Sequence, residues 1–317
     1  MEIRNLGKSG LRVSAVGLGC NNFGWHIDVE QSRAVVHKAM DAGITLLDTA
    51  DIYGDPHGAS ESALGQILGP RRADVVLATK FGATFDEEKG LKGGARRYIM
   101  TAVESSLKRL KTDWIDLYQL HRFDPLTPQE ETLRALDDLV TQGKIRYYGC
   151  SNVPAWRVVE AQWTARDRGF AGYVSLQDEY SLLVREAESD LIPMAQEYGL
   201  GLLPYFPLAS GLLTGKYSRD RKPADDTRFA KTARLADRYM TDENLGTVEK
   251  LKGFAEARGH TMVELAFSWL AAQPAVSSVI AGATRPEQVE QNARAADWKL
   301  SAEDLAEIDH LSGRSRD

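Results

Sequence analysis

Short apolar runs alternate with longer amphipathic segments along the whole chain. Eight mostly apolar runs, each three to six residues long, lie at residues 16–19, 44–47, 75–78, 115–120, 145–148, 174–176, 200–203 and 276–281. A short run of mostly apolar residues is typical of a strand buried on both faces of a parallel sheet. The pattern therefore predicts eight buried strands.

Amphipathic segments with recognisable ends separate these runs and predict helices. Asp28 with Gln31, and Thr261 with Glu264, match the capping-box pattern that begins a helix. The segment 127–143 has a proline near its start, leucines on one face and a glycine at its end. Eight strands, each followed by a helix, predict an α/β fold of the (β/α)8 TIM-barrel type rather than a doubly wound sheet.

Two further elements are expected outside the barrel. Residues 2–13, with a turn at Lys8-Ser9-Gly10, predict an N-terminal β-hairpin, and residues 301–311 predict an extra C-terminal helix. Because no linker rich in proline, glycine or serine divides the chain, we expect residues 1–317 to form a single domain.

One connection is longer than a barrel loop should be. After the strand that ends near Pro204, the pattern predicts no confident element before about Thr241, and loops beyond about 15 residues are usually functional or disordered. Residues 210–240, the basic segment, carry eight basic and four acidic side chains, so this +4 segment leaves −10 on the remaining chain. The basic segment is either a solvated loop or a flap that attracts an anionic ligand.

Composition narrows the class of protein further. The 317 residues carry a net charge of −6, which disfavours nucleic acid as a general partner. The N-terminus has no apolar segment behind basic residues, and no apolar stretch is long enough to cross a membrane. Two distant cysteines, Cys20 and Cys150, fit a reducing compartment, and the six histidines show no metal-site spacing. We therefore expect a soluble, cytoplasmic protein without a metal or a membrane partner.

Polar residues close three successive apolar runs, where the chemistry of a barrel is placed. The runs end in Asp48, Lys80 and His121, and Tyr53 follows Asp48 by five residues. Free tyrosine is a weak acid, but a nearby cation stabilises its phenolate, so Lys80 can activate Tyr53 while Asp48 orients Lys80. Neutral His121 can donate a hydrogen bond to a carbonyl oxygen. Each residue alone could be a loop ion pair or a structural side chain, whereas the set together indicates a proton-donating site.

The same residues lie in motifs that resemble the aldo-keto reductase family over essentially the whole chain. Residues 43–54 with 60–65 look like its first signature, residues 78–82 like its lysine motif, and residues 119–121 like its histidine motif. The resemblance implies that Asp48, Tyr53, Lys80 and His121 form a catalytic tetrad. It also implies that Tyr53 is the general acid for carbonyl reduction.

No Gly-x-Gly-x-x-Gly turn opens a βαβ unit, so a Rossmann-type cofactor site is not indicated. The family resemblance instead implies a nicotinamide cofactor extended across the barrel mouth. Asp48, Ser151, Asn152 and Gln177 would surround the nicotinamide, with Tyr205 stacked on its ring. The pyrophosphate would lie near three further residues, namely Leu208, Ser210 and Lys216.

Near the end of the chain, Pro286 suits the first position of a helix whose free N–H groups attract an anion. Arg285 adds a planar guanidinium that suits phosphate, although an ordinary helix start with a solvated arginine is the alternative. The resemblance assigns the adenosine 2′-phosphate and the adenine to this stretch and so favours NADPH over NADH. The residues implied are Gly282, Thr284, Arg285, Gln288 and Asn292.

The substrate implied by the resemblance is a small-molecule aldehyde or ketone. Its pocket would be lined by Tyr53, His121 and four aromatic residues, Trp25, Phe81, Phe85 and Phe123. Two alternatives stay open at this point. Lys80 could form a Schiff base in an aldolase-type barrel, although pairing with Asp48 would keep its amine charged. The chain could also be a cofactor-binding regulatory subunit with little turnover, although the retained tetrad argues against this.

Overall fold

The computed structural model describes residues 1–217 and 228–313. The chain begins with an antiparallel hairpin of β1 (Ile3–Asn5) and β2 (Arg12–Ser14), in which Ile3 pairs with Ser14. This confirms the predicted N-terminal hairpin.

Eight parallel strands follow in the described residues, and the sheet order is β10-β3-β4-β5-β6-β7-β8-β9. They are β3 (Val16–Gly19), β4 (Leu46–Asp48), β5 (Val76–Phe81), β6 (Ile115–Leu120), β7 (Ile145–Ser151), β8 (Ser175–Gln177), β9 (Gly201–Leu202) and β10 (Val279–Gly282). Backbone hydrogen bonds join the two outer strands, since Ser277 donates to Leu202 at 2.9 Å and Ile280 donates to Pro204 at 3.0 Å. The sheet therefore closes, which confirms the predicted (β/α)8 barrel.

Helices surround this sheet. In the described part of the chain they are α1 (Val29–Asp41), α2 (Ala59–Ile67), α3 (Arg96–Leu110), α4 (Gln129–Thr141), α5 (Ala155–Arg168), α6 (Leu191–Tyr198), α7 (Arg228–Lys231), α8 (Ala233–Tyr239), α9 (Asp242–Ala257), α10 (Met262–Ala271), α11 (Pro286–Arg294) and α12 (Ala302–Leu311). Both predicted capping boxes, at Asp28 and Thr261, are formed, and α12 is the expected C-terminal helix. None of the described helices is both long and apolar enough to span a bilayer.

The basic segment contains elements that the sequence pattern did not predict. A 3-10 helix (Ala209–Thr214), α7 and α8 lie before Thr241. They are stabilised by a small aromatic cluster in which Phe229 lies 5.0 Å from Tyr217 and 6.3 Å from Tyr239, centroid to centroid. These buried rings are isolated among charged residues, so they give no helical periodicity. Residues 218–227 of the basic segment, and the side chains of Arg228 and Lys231, lie outside the described residues.

The barrel interior changes from apolar to polar along the strands. Its lower layer is one buried cluster, completed by two side chains of the hairpin, and consists of Leu6, Val13, Leu46, Ala78, Leu117, Leu203 and Ile280. Side chains in a strand alternate between faces, so the residue two positions beyond each apolar one also points inward. Two positions after Leu46, Ala78 and Leu117 come Asp48, Lys80 and Gln119. Three strands thus carry polar groups to the same end of the barrel, which we call the mouth.

Candidate active site

The four side chains from the strand ends meet at the mouth. Lys80 Nζ lies 2.6 Å from Asp48 Oδ2 and 5.0 Å from the centroid of the Tyr53 ring. The Tyr53 and His121 rings meet edge to face, with their centroids 5.6 Å apart. The structure therefore brings together Asp48, Tyr53, Lys80 and His121 as one group.

Lys80 is fully buried and held by two acceptors. Its Nζ donates to Asp48 Oδ2 and, at 2.8 Å, to the backbone oxygen of Thr49. Burial alone would lower the pKa of Lys80, but the adjacent Asp48 carboxylate and the Tyr53 phenol outweigh it and raise the pKa above its usual value. The ammonium group therefore stays charged and fixed in direction.

The pKa of Tyr53 moves in the opposite direction from the sequence-based expectation. Burial of the phenol raises this pKa, and the lowering effect of Lys80 is the smaller influence. The phenol is therefore protonated at neutral pH, with a cation beside it that stabilises the phenolate once the proton has left. This is a suitable state for a group that donates a proton.

His121 is neutral in this environment. Burial, followed by the charges of Lys80 and Arg122, holds its pKa well below the usual range. Its Nδ1 atom is buried and has no hydrogen-bond partner among the described residues. A neutral imidazole can donate a hydrogen bond through one ring nitrogen, so His121 can orient a carbonyl oxygen.

Two amide side chains complete the surroundings of Asp48. Its Oδ1 atom accepts hydrogen bonds from Gln177 Nε2 at 2.9 Å and from Gln119 Nε2 at 3.4 Å. Sequence reasoning missed Gln119, although it lies two residues before His121 and the two-residue period of a strand could have indicated it. Asp48 is thus fixed from two other strands as well as by Lys80.

Further polar groups line the mouth next to this group. Ser151 is buried and donates to the backbone oxygen of Gln177 at 2.7 Å, and Asn152 donates to Ser151 Oγ at 2.9 Å. The Tyr205 hydroxyl donates to Asn152 Oδ1 at 2.8 Å. These hydrogen bonds connect the ends of β7, β8 and β9, so Ser151, Asn152, Gln177 and Tyr205 lie together, as the family resemblance implies.

The turn after Tyr205 has an unusual backbone. Phe206, Ala209 and Ser210 all have positive φ angles, between 45° and 57°, a region that non-glycine residues seldom adopt. Leu208 is half-buried in this turn, and Lys216 is exposed with its ammonium 5.2 Å from the Tyr217 ring centroid. The Ser210 hydroxyl is buried and lacks a partner in the part of the chain that the structure describes. An unsatisfied hydroxyl held in a strained turn fits a ligand contact.

The residues predicted for the adenosine end of the cofactor lie at and before the start of α11. Pro286 occupies the first turn, after Arg285 as N-cap with an extended backbone. Thr284 donates through its backbone N–H to Gln288 Oε1 at 2.8 Å, and Asn292 is buried on the same helix. Gly282, at the end of β10, is exposed, as is Arg285, which forms no ion pair within residues 1–217 and 228–313.

The aromatic residues predicted for the substrate pocket divide into two groups. Trp25 is 67% exposed, and Phe85 and Phe123 are half-buried near the mouth. Phe81 is fully buried against Tyr118, with ring centroids 4.7 Å apart, in the core between the sheet and the helices. Lys80 points into the barrel, so its neighbour Phe81 must point outward. The structure does not bring Phe81 to the mouth.

A buried polar network surrounds the tetrad on its outer side. Glu61 is fully buried and accepts hydrogen bonds, both at 2.6 Å, from Thr79 Oγ1 and Arg109 Nε. Asp51 is also buried and accepts from the Tyr98 hydroxyl at 2.8 Å, and burial raises the pKa of Asp51 to about 7. The network ties the loop containing Tyr53 to β5 and α3.

Comparisons with known proteins cover nearly the whole chain. The sequence model of the Aldo/keto reductase family matches residues 15–312. The chain is 40% identical over 306 residues to a probable voltage-gated potassium channel subunit beta of Oryza sativa subsp. japonica, covering 94% of this chain and 92% of the relative. It is 37% identical to the uncharacterized oxidoreductase YrpG of Bacillus subtilis (strain 168), covering 98% and 96%. It is 36% identical to L-glyceraldehyde 3-phosphate reductase of Escherichia coli (strain K12), covering 98% and 92%. The chain belongs to the aldo/keto reductase family.

Proposed function

We propose that this protein is an NADPH-dependent oxidoreductase that reduces an aldehyde or ketone to the alcohol. The observation that carries the proposal is the contact between a charged Lys80, a protonated Tyr53 and a neutral His121 at the barrel mouth. A proton donor with a cation behind it and a hydrogen-bond donor beside it suits the protonation of a carbonyl oxygen.

The mouth offers suitable groups for the proposed cofactor. Ser151, Asn152 and Gln177 supply the donors and acceptors that a carboxamide requires, and Tyr205 supplies a ring for stacking. The Ser210 hydroxyl, which has no partner among the described residues, fits the pyrophosphate together with Leu208 and Lys216. When bound, the nicotinamide would supply the hydride.

The adenosine end of NADPH is assigned to the start of α11. Arg285 is exposed, has no ion pair in the part of the chain that the structure describes, and lies at the N-terminus of a helix, so it suits a 2′-phosphate, which NADH lacks. The remaining residues proposed for this end are Gly282, Thr284, Gln288 and Asn292.

Each member of the tetrad has a separate task in this proposal. Tyr53 transfers its proton to the carbonyl oxygen, and the charge of Lys80 stabilises the phenolate that remains. Asp48 keeps Lys80 charged and aimed through their 2.6 Å contact. His121 orients the carbonyl oxygen, while Trp25, Phe85 and Phe123 form the apolar side of the pocket. The reductase named among the relatives supports a small aldehyde as substrate.

Two other functions are possible on this scaffold. A Schiff-base mechanism requires an uncharged lysine amine, whereas Asp48 and Tyr53 raise the pKa of Lys80. A cofactor-binding regulatory subunit is favoured by the relatives named as channel subunits, at 40% and 39% identity. The assembled tetrad favours turnover over this second role. We also propose a cytoplasmic location, which fits the two free, buried cysteines.

The deciding experiment compares the wild type with Tyr53→Phe. We expect the wild type to oxidise NADPH in repeated turnovers when a generic aldehyde is present, and the variant to lose at least about 100-fold in kcat. NADPH binding by fluorescence titration serves as the folding control and should be retained. A variant with full rate would refute the role of Tyr53, and a wild type that binds NADPH without repeated turnover would favour the regulatory subunit.

A further inference from the structure

Arg122 is an exposed guanidinium directly after His121 at the end of β6. Two other arginines near the mouth are neutralised, since Arg109 pairs with Glu61 and Arg238 pairs with Glu179. Arg122 has no ion pair and no side-chain hydrogen bond among the described residues. An arginine without a carboxylate partner can bind an incoming anion without first giving up another contact.

The backbone around Arg122 is fixed. The N–H of His121 donates to the Phe81 oxygen at 2.7 Å, and Asn152 Nδ2 donates to the His121 oxygen at 3.2 Å. Arg122 therefore begins at a rigid point of the mouth. The positive charge of Arg122 acts on the imidazole of His121, because it is one of the causes that lower the pKa of His121.

A second guanidinium, that of Arg157, packs on the ring of Phe123, the residue that follows Arg122. Arg157, from the first turn of α5, lies 5.0 Å from the Phe123 ring centroid and 4.2 Å from that of Trp156. Its Nη1 pairs with Glu160 at 2.6 Å, but its buried Nε has no partner within the described residues. Phe123 is thus preceded by one guanidinium in the chain and covered by another.

Three nearby carboxylates, those of Asp124, Asp86 and Glu87, are already engaged by other groups. Asp124, two residues beyond Arg122, accepts from the backbone of Gly94 and Leu126, at 2.8 and 2.9 Å. In the facing loop, Asp86 pairs with Lys89 and Glu87 pairs with Lys92. The positive charge of Arg122 beside the tetrad is therefore left without a counter-charge in the described part of the chain.

We propose that Arg122 selects short-chain carbonyl substrates that carry an anionic group, a carboxylate or a phosphate. This inference rests on the proposed function, because it takes the reacting carbonyl oxygen to lie at Tyr53 and His121. The anion pairs with the Arg122 guanidinium through two parallel hydrogen bonds, a geometry that lysine cannot reproduce. Phe123 and Arg157 form the adjoining wall.

The test uses two matched pairs of aldehydes with NADPH, succinate semialdehyde against butanal and glycolaldehyde phosphate against glycolaldehyde. In the wild type we expect kcat/KM to be at least about tenfold higher for the anionic member of one or both pairs. Arg122→Gln should remove that preference, Arg122→Lys should restore only part of it, and Arg97→Gln, an exposed arginine on α3, should leave it intact. If the wild type prefers the anionic aldehyde in just one of the two pairs, that pair shows whether the anion is a carboxylate or a phosphate.

An equilibrium measurement separates this inference from the proposed function. Binding of 4-hydroxybutanoate to the protein with NADP+ is followed by tryptophan fluorescence, with 1-butanol as the neutral probe. We expect Arg122→Gln to weaken binding of the anion by about tenfold and to leave binding of the alcohol unchanged. Equal preference in wild type and Arg122→Gln, in both rates and binding, would overturn the assignment. Absence of turnover with retained Arg122-dependent binding would instead refute only the reductase function.

Discussion

At the scale of single residues, alternation along a strand decides which side chains reach the site. Thr79, Lys80 and Phe81 are consecutive, yet only Lys80 enters the barrel, while Thr79 bonds to Glu61 and Phe81 packs on Tyr118. The sequence motif contains all three residues and does not show which of them points into the barrel. The environment also reverses the expected shift in the pKa of Tyr53, because burial depends on neighbours that are distant in sequence.

The raised pKa of Asp51 predicts that this residue makes the free energy of unfolding depend on pH. Burial raises its pKa from 3.8 to about 7, so between these values the folded protein retains a proton that the unfolded chain has lost. Rising pH therefore lowers the free energy of unfolding by up to about 1.4 kcal/mol for each pH unit in this window. Asp51→Asn should remove this contribution, as measured by urea unfolding at about pH 5, inside this window, and about pH 7, at its upper limit.

The comparison between wild type and variant isolates Asp51. Asp178 has a pKa raised to about 8 by burial, and its contribution is common to both proteins. Asp297→Asn, at an exposed position, is the matched control and should keep the pH dependence of the wild type. Equal slopes in the wild type and Asp51→Asn would show that Asp51 is not the group responsible.

At the scale of elements, the N-terminus of α11 should determine which cofactor is used. Arg285→Ala should raise the KM for NADPH by at least about tenfold and change the KM for NADH little, because only NADPH carries the 2′-phosphate. Steady-state kinetics with both cofactors checks this. Arg294→Ala, in the last turn of the same helix, is the control. Equal effects on both cofactors would remove the phosphate assignment.

The helix α8 should depend on Glu179 for its position. Glu179 lies two residues after Gln177, pairs with Arg238 at 2.7 Å and accepts a hydrogen bond from the buried Tyr239 hydroxyl. Glu179→Gln should accelerate tryptic cleavage after Arg238 by several-fold, since the ion pair protects that side chain. The rate of cleavage after Arg238 is measured by mass spectrometry of timed digests.

The control for this experiment is Glu243→Gln, an exposed residue on α9, which should be cleaved like the wild type. If the basic segment covers the bound cofactor, added NADPH should slow cleavage in the wild type and slow it less in Glu179→Gln. Unchanged digestion of Glu179→Gln would show that α8 is positioned without this contact.

At the scale of the whole molecule, the barrel separates stability at its lower end from chemistry at its mouth. The hairpin covers the lower end, with Leu6 and Val13 inside the buried cluster. Gly7 has φ +58°, and a Cβ there would meet the Gly199 oxygen at 2.4 Å, so the hairpin packs closely on the chain before β9. The apolar layer at the lower end therefore stabilises the fold, and the polar layer at the mouth carries the residues proposed for the chemistry.

Leu6→Ala tests this separation. Removing a fully buried leucine should reduce the free energy of unfolding by about 2–5 kcal/mol, because lost contacts and a cavity both contribute. At a temperature where the variant stays folded, kcat should remain close to that of the wild type. Leu11→Ala, at a partly buried hairpin position, should cost less. A large loss of kcat with little loss of stability would contradict the separation.

The fold was predictable because its signals are local. Runs such as 115–120 mark a strand by composition alone, and the capping boxes at Asp28 and Thr261 need only residues three positions apart. The helices α7 and α8 were missed because a few aromatic contacts over long separations stabilise them. The motif residues of the tetrad were found. Gln119 was missed although it lies in the histidine motif, because its contact with Asp48 joins two strands that are distant in sequence. Glu179 was missed because no motif marks it.

The sequence by itself determined the barrel, its hairpin and terminal helix, the membership of Asp48, Tyr53, Lys80 and His121 in one group, and the positive charge of the basic segment. These depend on order, period and residue type. Only the tertiary structure decided that Phe81 points away from the mouth, that His121 is neutral and that Arg122 has no counter-charge among residues 1–217 and 228–313. The physical reason is that burial and pairing are set by groups from different strands and helices, which meet only when the barrel closes.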